Sequence, residues 1–112
     1  TDALKEHLIP ETLSSQQIAC VYASEADLLN VALFGVTAKQ WRDENPQLSG
    51  NMRDHANIHQ LVCLTNMEFM NAHFIQQGME QSERIVKLNQ LAIQQMQVLI
   101  AANAAKNPLL KE

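Results

Sequence analysis

A chain of 112 residues has room for one hydrophobic core, and its 46% apolar content is too high for a disordered segment. Three Gly and three Pro, roughly half the usual share, argue against turn-rich sandwiches and barrels. A net charge of −4 gives no basic stripe for a free-standing nucleic-acid binder, and much of the polarity comes instead from nine Asn and twelve Gln.

Helix caps organise the chain. Asp2 is placed to cap a short helix over residues 3–9 that Pro10 ends. Ser14 with Gln17 has capping-box spacing and opens a helix carrying Ile18, Val21 and Tyr22. Ser24 with Asp27 repeats the signal ahead of residues 28–34, and Gly35 suits the left-handed position that follows a helix end. Thr37 with Gln40 starts a short helix holding Trp41, which Asn45-Pro46 stops. Residues 46–56 read as the one sizeable loop. Asn57 with Gln60 opens a long helix to Gln77, closed by Gly78. A last helix follows over residues 81–105, with Glu80 and Glu83 near the positive end of its dipole, and residues 106–112 form a tail. No segment alternates like a strand. The prediction is one all-α domain, a compact bundle of about five or six helices with a long C-terminal helix.

The two long helices differ in their faces. Leu61, Val62, Cys63, Leu64, Met67, Phe69, Met70, Phe74 and Ile75 surround the first almost completely, which predicts a central helix enclosed by others. In the second, residues 88–105 carry no charge, and a thin polar stripe of Glu83, Lys87, Gln90, Gln94 and Gln97 leaves an apolar arc wider than a surface helix buries. So small a domain cannot easily enclose both, which predicts a covering partner, most simply a second copy. The interface candidates are Ile85, Leu88, Ile93, Met96, Leu99 and Ile100. On this reading Met96→Glu with Ile100→Glu separates the copies.

Other patterns carry less chemistry. His55, His59 and Cys63 have the i, i+4, i+8 spacing of zinc ligands on one helical face, but Asn57 as a cap puts His55 off that face and no fourth ligand is near. No nucleophile motif or Gly-rich phosphate loop is present, so no catalytic residue, metal or cofactor is predicted and the domain reads as non-enzymatic. Helix, Gly35, short helix is also the skeleton of a helix-turn-helix, in which Lys39, Gln40 and Arg42 supply side chains that read base edges. Asp43 and Glu44 oppose that reading by repelling phosphate, and ion pairs of Arg42, Asp43, Arg53 and Asp54 that tie down the loop are favoured over it. The methionines at 52, 67, 70, 79 and 96 read mainly as core filling. Cys20 and Cys63 lack a CxxC pattern and read as reduced, buried thiols of a cytoplasmic protein. The longest clean apolar run, residues 98–102, is too short to span a membrane.

The segments VYASEADLLNVALFG, TAKQWRDENP, GNMRDHA, NAHFIQQG and QSERIVKLNQLAIQQM together resemble the C-terminal region of KilA-N domain proteins of phages and prophages. The similarity runs from Thr1 to about Leu99, and it implies that residues 1–13, TDALKEHLIP with its short helix, are a linker-like segment joining the two parts of such a protein. It implies a fragment whose DNA-binding KilA-N domain lies upstream, outside this chain, so no nucleic-acid contact residue is carried over. It implies no catalytic residues either. The family tends to have Tyr where His55 stands and Glu where His59 stands, which counts further against zinc. The resulting expectation is an oligomerisation or protein-interaction module, a homodimer in the simplest case, whose contact with nucleic acid runs through the missing domain.

Overall fold

The computed structural model describes residues 8–21 and 24–106, and the described elements are helical. They are α1 (Ser15–Ala19), α2 (Glu25–Phe34), α3 (Ala38–Glu44), a 3₁₀ turn (Met52–His55), α4 (Ile58–Gln76) and α5 (Gln81–Lys106). The helix expected over residues 3–9 lies, except for Leu8 and Ile9, outside the described residues, as does Tyr22.

The caps work as their spacing predicts. Ser14, Thr37 and Asn57 each accept a hydrogen bond from the backbone N–H three residues on, and the Gln at that position accepts one from the cap's own N–H. Two orphan donors are satisfied at each start. Ser24 accepts from the Asp27 N–H, so the chain breaks there and does not run on. Gly35 closes α2 at φ +81°, a conformation that penalises any residue with a Cβ. Inside the loop, Asn51 and Asp54 form a fourth such box around the 3₁₀ turn, an element the sequence reading missed.

The order of burial differs from the expectation. The element enclosed on all sides is α2, where residues 28–33 are buried in unbroken succession. The helix packed most extensively against its neighbours is α5, which lies along both α2 and α4. Its apolar side feeds the main core: Ile85, Leu88, Ala92 and Met96 are fully buried with Leu28, Val31, Cys63 and Met67. Each large side chain so buried contributes about 1.5–3 kcal/mol. Leu91, Leu99 and Ile100 pack on the margin of this core, and Gln90, Gln94 and Gln97 face outward. The surplus apolar surface expected on the last helix is therefore largely absorbed within one protomer. Val86 and Val98 remain exposed on it.

The helix that does keep apolar surface is α4. Its inner side gives Cys63, Leu64, Met67 and Phe74 to the core, while Ile58, Leu61, Val62, Phe69 and Ile75 stay exposed. It is a flanking helix with a second greasy side, not a central one. A small satellite core sits under the loop, where Trp41 and Met52 are buried with Phe34, Val36 and Leu48 against them.

Candidate functional site: an uncharged outer helix face

Three places collect polar or apolar groups in a way that invites a functional reading. The first is a node where α2, α4 and α5 meet. Arg84, buried at the start of α5, donates to both carboxylate oxygens of Glu25 at 2.6 and 2.9 Å, to Asn71 Oδ1 at 2.7 Å and to the Met79 carbonyl at 3.0 Å. Asn71 and Gln81 donate to the same carboxylate, each at 3.2 Å. The Arg84 guanidinium holds Glu25 well below the usual carboxylate range, at about 2, and Glu25 in turn raises the pKa of Arg84. With its donors used on protein acceptors, the node is a clamp between helices.

The second place is the loop around Trp41. Arg42 donates to the carbonyls of Asn45 at 3.1 Å and Leu48 at 2.6 Å, and also to that of Gly50. Its guanidinium lies 4.9 Å from the centre of the Trp41 ring, a cation–π distance. His55 bonds the Ser49 carbonyl at 2.8 Å and approaches Trp41 with ring centres 5.3 Å apart. A cleft of about 240 Å³ opens beside Trp41, walled also by Pro10, Leu33, Phe34 and Gln60, and is smaller than the usual range for ligand pockets.

The three side chains nominated to read bases all have partners within the fold. Gln40 is occupied in the cap of α3, Arg42 is committed to loop carbonyls, and Lys39, though exposed, pairs with Asp43 at 2.8 Å. The expected ion pairs are also redistributed. Arg42 grips backbone rather than a carboxylate, Asp43 pairs within its own helix, and Asp54 caps the 3₁₀ turn. Arg53 ties the loop to α4, lying 3.7 Å from Glu68. Replacing Arg42 by Ala is expected to cost about 2 kcal/mol and to lower the melting temperature by about 10 °C, read by far-UV circular dichroism. Arg42→Lys recovers little, because an ammonium cannot reproduce the planar fork that reaches several carbonyls.

The zinc spacing is not realised. His55 lies in the 3₁₀ turn, and no group of three or more His, Cys, Asp or Glu that could hold a metal occurs among the described residues. Cys63 is fully buried, and burial pushes its thiol up to about 11, away from the thiolate that chemistry or metal binding needs. Cys20, expected inside, is exposed.

The third place is the outer face of α4. Ile58 is 66% exposed and Phe69 73% exposed, an unusual state for such side chains. In α4 only Glu68 carries a formal charge, and Arg53 stands beside it. Of the interface residues nominated on α5, Ile85, Leu88 and Met96 are sealed in the protomer's own core and cannot meet a partner. Ile93, Leu99 and Ile100 are half-buried, the last two against its edge. Exposed apolar surface exists as the helix faces suggested, but most of it sits on the other long helix, with Val86 and Val98 the exposed pair on α5. The signal was present in the sequence: the apolar residues of α4 cover more than the one side that its neighbours can take. No helix among the described residues is long and apolar enough to cross a membrane. Comparison with family models, with characterised proteins and with solved structures finds no match to this chain.

Proposed function

We propose that this domain is a non-enzymatic module that pairs two copies of a KilA-N-type DNA-binding protein of a phage or prophage. The observation that carries the reading is the bare apolar side of α4, with Phe69 73% exposed on a helix whose opposite side is already in the core. A patch of that kind marks a protein contact. The resemblance of residues 1 to about 99 to the C-terminal region of KilA-N proteins supplies the context, a cytoplasmic protein whose DNA contact lies in its other domain. Joining two DNA-binding heads raises the effective concentration at a second half-site, so pairing strengthens DNA binding without any new base contact. Gln40 and Arg42 are engaged within the fold, which favours this reading over direct nucleic-acid contact by residues 25–45.

Sedimentation equilibrium tests it. At micromolar concentration the chain is expected to give twice its 12.6 kDa mass. A single monomeric species at every concentration overturns the proposal.

A further inference from the structure

Resting on the pairing proposed above, we infer that two copies join through α4 itself, antiparallel, in one register centred level with Met67. The inference comes from the order of side chains along the exposed face. Ile58, Val62, Thr65, Phe69, Ala72 and Gln76 follow one another at spacings of four, three, four, three and four, the repeat that keeps a seam aligned along one side of a helix. Met67 is buried on the opposite side, so this seam is the one that points away from the core.

The seam reads the same from either end in position, and its side chains complement one another in size. When two copies run antiparallel about the level of residue 67, Phe69 faces Thr65 of the other copy and Val62 faces Ala72. Each larger side chain meets a smaller one, and Ile58 meets Gln76 at the rim. A parallel pair in register sets Phe69 against Phe69 and Ala72 against Ala72, two bulky rings in one layer and two methyl groups in the next, a poorer match in size. Thr65 suits its place, because its hydroxyl already donates to the Leu61 carbonyl at 3.1 Å and leaves no unmet polar atom when covered. The antiparallel arrangement also sets each helix N-terminus beside the other copy's C-terminus, the favourable alignment of their dipoles.

Charge and area agree with a second copy as the occupant. The whole chain carries −4, so two copies repel over most of their surface, but the seam itself contains no charged side chain. Glu68 flanks it, beside its own Arg53, and comes level with Asn66 of the other copy. The exposed parts of Ile58, Leu61, Val62, Phe69 and Ile75 amount to on the order of 500 Å² of apolar surface, at the upper end of what a monomer leaves bare. A standard interface takes about 800 Å² from each partner, a little over half of it apolar, which is about 450 Å². The nineteen residues of α4 make a rod about 28 Å long, enough for the seam to span the contact.

Cross-linking with single cysteines reads the register directly. In a background where the exposed Cys20 is replaced by Ser, one tagged chain carries Val62→Cys and a differently tagged chain carries Ala72→Cys. Oxidation of the mixture is expected to join one chain to the other, because residues 62 and 72 come level across the seam. Neither variant alone is expected to cross-link. Its own cysteines lie about 15 Å apart along the axis, beyond the reach of a disulfide. Phe69→Glu, at a position 73% exposed, is expected to keep the helical circular dichroism signal and raise the dimer dissociation constant about 100-fold or more. Cross-linking of Val62→Cys to itself, or a dimer indifferent to Phe69→Glu, overturns the seam while leaving pairing intact. An unmodified chain that is monomeric throughout removes both.

Discussion

Met96→Glu is expected to unfold the domain rather than to release one copy from another. Met96 is fully buried in the main core, together with Ile85, Leu88 and Leu28. A carboxylate placed there either ionises among apolar side chains or takes up a proton and still lacks hydrogen-bond partners. Either outcome costs about 4 kcal/mol or more, close to the whole stability of a small domain. The measurement is a thermal melt at neutral pH, in which the variant shows no cooperative transition. Val98→Glu, two positions along at a site that is 60% exposed, provides the control and should melt within a few degrees of the unmodified chain. A folded Met96→Glu variant would show that the last helix does not supply the core as described.

The second large effect concerns the clamp. Arg84→Met keeps much of the side chain's volume and removes the guanidinium that donates to Glu25, Asn71 and the Met79 carbonyl, leaving Glu25 the amides of Asn71 and Gln81. Asn71 is itself buried, so its oxygen loses a partner it cannot replace with bulk water. Loss of about 3 kcal/mol is expected, which lowers the melting temperature by about 15 °C. The sign of the pH effect follows from Glu25. Its carboxyl titrates at about 2 in the folded chain against 4.5 for an unperturbed glutamate, so folding favours the ionised form. That contribution is complete above pH 4.5 and is lost as the pH falls toward 2. Because the Glu25 side chain is half exposed, water screens the pair and the loss amounts to roughly 1–2 kcal/mol. Urea melts between pH 2.5 and 6 should show a shallower acid slope in Arg84→Met than in the unmodified chain. Equal slopes in the two would mean that Arg84 does not set the titration of Glu25.

The parts of the fold that were legible in the sequence are those decided by neighbours in the chain. Ser14, Ser24, Thr37 and Asn57 mark helix starts because a cap needs only the N–H group three residues ahead. Gly35 and Gly78 mark ends because positive φ is a property of one residue. What failed depends on partners far along the chain. Arg84 meets Glu25 across 59 residues, and nothing near either one announces the pair. Nothing in the sequence near Gln60, Asn71 or Asn89 marks these polar residues as interior, yet all three are buried. Asn89, for example, donates to the Ala32 carbonyl at 2.9 Å, one of those left over at the end of α2. The candidate site was half legible for the same reason. A wide apolar arc shows that a helix has more than one greasy side, but not which side its neighbours will take. α5 gave its apolar side to α2 and α4 together, whereas α4 touches its neighbours along one side and keeps the other bare.

The grip of Arg42 on the carbonyls of Asn45, Leu48 and Gly50 makes residues 45–50 one latch. No single carbonyl can let go cheaply while the cation still holds the other two, so the segment opens all at once or stays shut. Opening uncovers Trp41 and Met52 together, since the same loop roofs both, while the buried residues of the main core form another cluster that meets theirs through the half-buried Phe34. The domain thus has a door that can fail without the house coming down.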